Sequence, residues 1–190
     1  MGSPKPTVFV IMPFNDDFIA LFEAFKKQFD ESFEFTNAGD LDNQQNVLKD
    51  IVEGIANADV IIADLTGLNA NVFYELGLAH AMNKKVIIIT QDINELPFDI
   101  KSYRANQYSL QFNKLPFLIT ELQKLLSGAI DGSVKYGNPV EDYAPNFQKP
   151  QIEKLMEVSS VIEEKTSELL VEEDNRGFLD YTVSYTHLAI

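Results

Sequence analysis

The stretch from Ala58 to Ala81 reads ADVIIADLTGLNANVFYELGLAHA and gathers residue types able to act on a polar substrate: Asp64, Thr66, Asn69, Asn71 and Glu75. The chain has no cysteine, and its 2 histidines, His80 and His187, lie far apart. Thiolate nucleophiles, thiolate zinc sites and disulfide scaffolds are therefore excluded, and a multi-histidine metal site is not expected. No resident metal or cofactor is expected either. Chemistry must run on carboxylates, hydroxyls, amides and backbone dipoles. A carboxylate can serve as nucleophile, as partner to a developing cation, or as acid or base, according to how it is held.

Two positions matter most. Asp64 closes an apolar strand-like run, and Glu75 lies about one turn inside the helix after it. At about 100° per residue, Glu75 falls roughly 60–70° from the direction of Val72, Leu76 and Ala79. It borders the buried face near the helix amino terminus, where the dipole favours an ionised carboxylate. A capping-box glutamate stands three residues after its cap. With Asn71 as cap that residue is Tyr74, so Glu75 is one position too far, although a simple first-turn acid remains open. Asp64 equally suits a turn-fixing strand end, and Asn69 and Asn71 suit an ordinary turn and cap.

The elements that must hold these residues alternate. Thr7 to Met12 is a β-branched and aromatic run stopped by Pro13, and Asp16 to Glu31 carries Phe18, Leu21, Phe22, Phe25 and Phe29 at helical spacing. Phe33 to Thr36 reads as a second strand, Asn37 to Asn43 as a polar loop, and Gln44 to Asn57 as a helix aligning Val47, Ile51 and Ile55. Asp59–Ala63 and Lys85–Thr90 are continuous apolar runs of the kind covered on both faces. A helix over Asn71–Met82 separates them, and Asn106–Leu110 and Leu115–Leu126 predict a fifth strand and a closing helix. This order predicts an α/β, flavodoxin-like five-stranded parallel sheet with helices on both faces, plus a C-terminal helical extension. Ligands of such sheets bind at the carboxyl ends of the strands, where strand order reverses. The loop Pro13-Phe14-Asn15 is thus expected to line a pocket, Phe14 offering either a stacking face or core packing and the next helix start offering N–H groups.

Composition sets the wider class. The chain has 190 residues, 45% apolar and 23% charged, which suits a globular fold. With 15 basic against 29 acidic residues the net charge is −14, the wrong sign for a nucleic-acid polymer. No apolar run approaches a membrane span and no signal peptide opens the sequence, so a cytoplasmic protein without membrane contact is expected.

The domain plan expected is an α/β domain over 1–127, a Gly- and Pro-rich linker over 128–150, and an acidic helix and tail over 151–190. The helix, Gln151 to about Val171, aligns Ile152, Leu155, Ile162 and Leu169. It is expected to dock on its own domain or on another copy, and core helices offer a second route to a homo-oligomer. Val183–Leu188 (VSYTHL) resembles translated adapter read-through, so the final residues, His187 included, are set aside and a longer natural chain is expected. Elsewhere, His80 reads as a packing or hydrogen-bonding histidine, Lys84-Lys85 as a charge pair facing a helix carboxyl end, and Tyr103-Arg104 as solvent-facing or phosphate-reaching.

Several pieces together resemble the nucleoside 2-deoxyribosyltransferase family and the related TIR-like nucleotide N-glycosidases. They are Val10-Ile11-Met12-Pro13-Phe14, Ala58–Thr66, Asn71–Ala79 and Lys84-Lys85-Val86-Ile87, spread over about the first 125 residues. The resemblance implies cleavage or transfer at an N-glycosidic bond of a nucleoside, a nucleotide or NAD, the last as substrate. The glutamate of the E-L-G-x-A segment is catalytic in those families and falls on Glu75. It would stabilise or trap an oxocarbenium-like ribosyl centre. Asp64 would help the leaving group, while Pro13, Phe14, Asn15, Asn69 and Asn71 would bind substrate.

The sequence also departs from the family. Transferases carry a further Asp seven residues ahead of the Ala-Asp pair, where this chain has Ile51 with Asp50 beside it. Asp16 and Asp17 come after strand one, unhelpful to a 5′-phosphate, and Asn69–Asn71 is closer to the TIR-like branch. A non-catalytic TIR-like nucleotide-binding or assembly module is the alternative. A phospho-receiver is disfavoured, because its acids would come too late and Asn106–Leu110 holds no lysine.

Overall fold

The computed structural model describes residues 4–40 and 47–144. Five short strands form its centre: β1 (Thr7–Ile11), β2 (Glu34–Asn37), β3 (Val60–Asp64), β4 (Val86–Thr90) and β5 (Ala105–Gln107). All neighbours pair in parallel in the order β2-β1-β3-β4-β5, the flavodoxin-like arrangement. Val10 is level with Ile62, and Ile62 with Ile87, so the middle of the sheet is a band of branched aliphatic side chains.

Alternation along the strands divides the core in two. Val8, Val10, Val60 and Ile62 pack with α1 (Asp16–Phe29) and α5 (Leu115–Asp131). Phe9, Ile11, Ile61 and Ala63 pack with α2 (Val47–Asn57) and α3 (Ala70–Ala81). All five apolar residues of the α1 stripe are buried, and Phe29 stacks on Phe35 with ring centroids 5.6 Å apart. Removing each such side chain from water contributes about 1.5–3 kcal/mol. On the other face α2 comes down closely on β1. A Cβ at Gly54 would lie 2.3 Å from the Phe9 ring, so only glycine permits that approach.

The elements differ from expectation mainly near the carboxyl-terminal end. The fifth strand is Ala105–Gln107 rather than Asn106–Leu110, though the Tyr108 N–H still donates to the Thr90 carbonyl. Short helices α4 (Phe98–Lys101) and α6 (Pro139–Tyr143) were not expected. The closing helix runs past Leu126 to Asp131 and stops at Gly132, which is left-handed with φ +77°. Gly128 had signalled a linker, but it is buried in α5 because its bare Cα accommodates Val134.

Residues 128–144 are accordingly part of the domain. Val134 and Tyr136 pack on the α1/α5 core, and Tyr136 donates to the Leu125 carbonyl. Buried Asn138 donates to the His80 carbonyl and to Asn83 Oδ1, both at 3.0 Å. A compact unit extends to Ala144, which moves the domain edge from the expected 127. The acidic helix, the tail and His187 lie outside the described residues. Among the described residues, no helix is long and apolar enough to cross a membrane.

His80 is buried, packs beside Tyr103 and has no hydrogen-bond partner for Nε2 among the described residues; burial lowers its pKa. Lys84 reaches the Ala56 and Ala58 carbonyls and Lys85 the Ala129 carbonyl, so the pair serves the ends of α2 and α5 rather than α3. Tyr103 donates to Asp142 at 3.2 Å and Arg104 pairs with Glu121 at 3.7 Å.

Candidate active site

Strand order reverses at β1, and a cleft of about 540 Å³ opens there at the carboxyl edge. Met12, Pro13 and Phe14 from the loop after β1 form one side, with Ala38 beyond β2. Val47, Leu48 and Ile51 of α2 form a second side, and Asn69, Asn71, Val72, Tyr74 and Glu75 complete it. The cavity has the size of a small-molecule site and a mostly apolar wall. Among the described residues lining it there is no lysine, arginine or histidine.

Asn69 sets the start of α3. Its Oδ1 accepts the Asn71 N–H at 2.9 Å and the Val72 N–H at 3.5 Å, so Asn69, not Asn71, is the cap. The residue three beyond the cap is Val72, which removes the capping-box role from Glu75. Glu75 stands in the second turn at 9% exposure, on the cleft wall. No hydrogen bond or ion pair reaches its carboxyl among the described residues. Burial pushes its pKa from 4.5 up to about 7. A carboxyl raised toward neutrality by burial in a cleft is a candidate functional group.

The expected site residues divide. Pro13, Phe14, Asn69, Asn71 and Glu75 share the cleft; Asn15 and Asp64 do not. Asn15 is the N-cap of α1, its side chain accepting the Phe18 N–H at 3.3 Å, and Asp16 and Asp17 are exposed behind it. That helix start, expected to offer N–H groups to the pocket, has one of them taken by Asn15 and two acids beside it.

Asp64 is displaced by strand alternation. It shares parity with Val60 and Ile62 and lies on the α1/α5 face, whereas α3 covers the other face. Its buried carboxyl accepts Tyr108 Oη at 2.5 Å, Thr66 Oγ1 at 2.6 Å and the Thr66 N–H at 3.0 Å. Burial raises its pKa, and the Thr66 and Tyr108 hydrogen bonds oppose the rise. The expected leaving-group role therefore has no geometric support.

Phe14 is 59% exposed and its ring rests over Gly39, where a Cβ would come within 3.1 Å. Tyr74, 57% exposed, was missed, although a tyrosine beside the key acid at the start of a helix was a visible signal. Val47 and Ile51 were aligned with Ile55 on one helical stripe, and Leu48 was not singled out. Only Ile55 of α2 is buried, so that stripe begins in the cleft and ends in the core.

Residues 11–171 match the family model described as nucleoside 2-deoxyribosyltransferase. Among curated proteins no sequence matches the chain. Similar solved structures include a 2-desoxiribosyltransferase from Leishmania mexicana, at 22% identity and TM-score 0.38, covering 47% of this chain and 66% of that one. A CMP N-glycosidase from Clostridium botulinum is 20% identical with TM-score 0.49, covering 62% and 98% respectively. A 2-deoxyribosyltransferase from Bacillus psychrosaccharolyticus is 14% identical with TM-score 0.45, covering 53% and 85%. The chain thus spans just under two thirds of the Leishmania protein's length.

Proposed function

Because the chain belongs to the nucleoside 2-deoxyribosyltransferase family, we propose that it breaks the N-glycosidic bond of an uncharged nucleoside and passes the sugar to water or a second base. The observation that carries this reading is Glu75, a buried carboxyl without a partner among the described residues, on the wall of a nucleoside-sized cleft. The bond from C1′ to the base nitrogen breaks with its electron pair leaving on the base, which takes up a proton from solvent. Positive charge then spreads over C1′ and O4′. The ionised Glu75 carboxylate either holds that cation or closes on C1′ as an ester. Water or the nitrogen of an acceptor base next adds to C1′, loses a proton and frees the carboxylate.

The apolar walls favour a base and a sugar over phosphates. A 5′-phosphate or the pyrophosphate of NAD would enter beside Glu75, with no cation among the described lining residues to receive it. Phe14 and Tyr74 provide exposed ring faces suited to stacking on a base.

The test is incubation of the full chain with 2′-deoxynucleosides, ribonucleosides, their 5′-monophosphates and NAD, with and without a free acceptor base, then chromatography. Release of base from nucleosides, lost in Glu75→Gln, supports the reading. Ligand-dependent melting without any product would replace it with the non-catalytic binding module.

A further inference from the structure

We propose that Tyr108 is a positioning residue for Glu75, acting through Asp64 and Thr66 across the carboxyl edge of the sheet. The catalytic part of this inference rests on the function proposed above; its structural part does not.

β3 ends in a residue that is costly to bury. Asp64 is 1% exposed, and every other residue of that strand is apolar. No cation approaches its carboxyl among the described residues, and three hydrogen bonds offset the burial instead. They close a ring through three strand ends. Thr66 Oγ1, which donates to Asp64, accepts the Gln91 N–H at 3.0 Å just beyond β4. Gln91 Nε2 donates to Tyr108 Oη at 3.4 Å, just beyond β5. Tyr108 Oη completes the circuit to Asp64 Oδ2. An apolar residue would end the strand at lower cost, so the ring has another task.

That task is to hold the turn between β3 and α3. Leu65 to Leu68 cross from the Asp64 face of the sheet to the face α3 covers. The turn needs two left-handed residues in succession, Gly67 at φ +71° and Leu68 at φ +54°. A left-handed leucine is strained and persists only where its surroundings hold it. The Asp64–Thr66–Tyr108 ring clamps one end of the turn, and the Asn69 cap defines the other. Beyond that cap the same helix presents Asn71, Tyr74 and Glu75 to the cleft. Releasing the clamp lets the turn relax and shifts the start of α3, and with it Glu75.

Tyr108→Phe keeps the ring's packing and removes only the hydroxyl; Thr66→Val and Thr66→Ser supply a matched pair. Three measurements on the full chain decide the matter: amide exchange over residues 65–75 against β1, side-chain carbon-13 titration of Glu75, and kcat with KM well below the melting temperature. The expected result for Tyr108→Phe is faster exchange confined to residues 65–75 and a Glu75 midpoint falling from about 7 toward the ordinary glutamate range. A loss in kcat on the order of 10-fold with nearly constant KM is also expected. Thr66→Val should repeat these changes and Thr66→Ser should not. Unaltered exchange and an unmoved Glu75 midpoint in Tyr108→Phe would overturn the inference, as would a uniform rise in exchange across β1. If the parent protein releases no base, the proposed function fails, and the exchange and titration results still decide whether Tyr108 positions Glu75.

Discussion

Ile51 of α2 and Glu75 of α3 line one cleft, an aliphatic side chain and a buried carboxyl in the same small volume. Burial at that wall pushes the Glu75 pKa up to about 7. Solvent is withheld from the charge, and among the described residues nothing of opposite sign replaces it. If the ionised form does the work, base release increases as the pH rises through about 7 and levels off above. A kcat profile that falls or stays flat across that range contradicts the assignment. Ile51→Asp adds a like charge beside Glu75 and should move the rising limb to higher pH.

The same shift makes Glu75 a burden on the fold, with a definite sign. Its native pKa, about 7, lies above the unfolded value of 4.5. The native state therefore holds a proton that the unfolded state has released, and stability is lost as pH rises through that window. Glu75→Gln, which cannot ionise, should melt a few degrees higher than the parent at alkaline pH and match it below about 4.5. Base release by the same variant should drop on the order of 10³-fold. Melting curves at two pH values, paired with turnover, read both changes; equal melting shifts at both would break the link to ionisation.

Much of this was legible from local pattern. The runs VIIAD and VIIIT announced strands covered on both faces, and the five apolar positions of α1 announced its buried side. That a helix follows β3 and carries Glu75 near its amino end was readable from the polar turn and the spacing of Val72, Leu76 and Ala79. What local pattern left open was settled by distant partners or single steps. Asn69 and Asn71 have equal capping chemistry, and backbone geometry chooses between them. Asp64 depends on Tyr108, 44 residues onward, although its shared parity with Val60 and Ile62 was already readable. Val47 and Ile51 continue the spacing of Ile55, and spacing does not show where a helix runs out of core into a cleft.

Charge discrimination provides another measurement. With no cation among the described lining residues, Glu75 itself acidic, and exposed Asp16 and Asp17 two and three residues beyond Phe14, nucleosides should exceed their 5′-monophosphates in kcat/KM by at least about 10-fold. Added salt should narrow the gap by screening the exposed acids. Asp16→Asn with Asp17→Asn should narrow it at low salt and remove most of the salt effect. Equal use of nucleoside and monophosphate at low salt would show that a cation reaches the phosphate.

Gly54 connects packing to the cleft. A methyl at this position would meet the Phe9 ring at 2.3 Å, and the ring is enclosed in the α2/α3 core. Either the ring leaves its rotamer or α2 lifts from β1. Overpacking of this kind costs about 1–3 kcal/mol, so Gly54→Ala should melt well below the parent. Lifting α2 also carries Val47, Leu48 and Ile51 outward, widening the cleft on that side. KM for a nucleoside should then rise several-fold while the pH limb set by Glu75 moves down, because water gains access. Phe9→Leu gives the extra methyl room, and in that background Gly54→Ala should have little further effect on either quantity. Additive losses in the double variant would show that the glycine serves α2 by some route other than contact with Phe9.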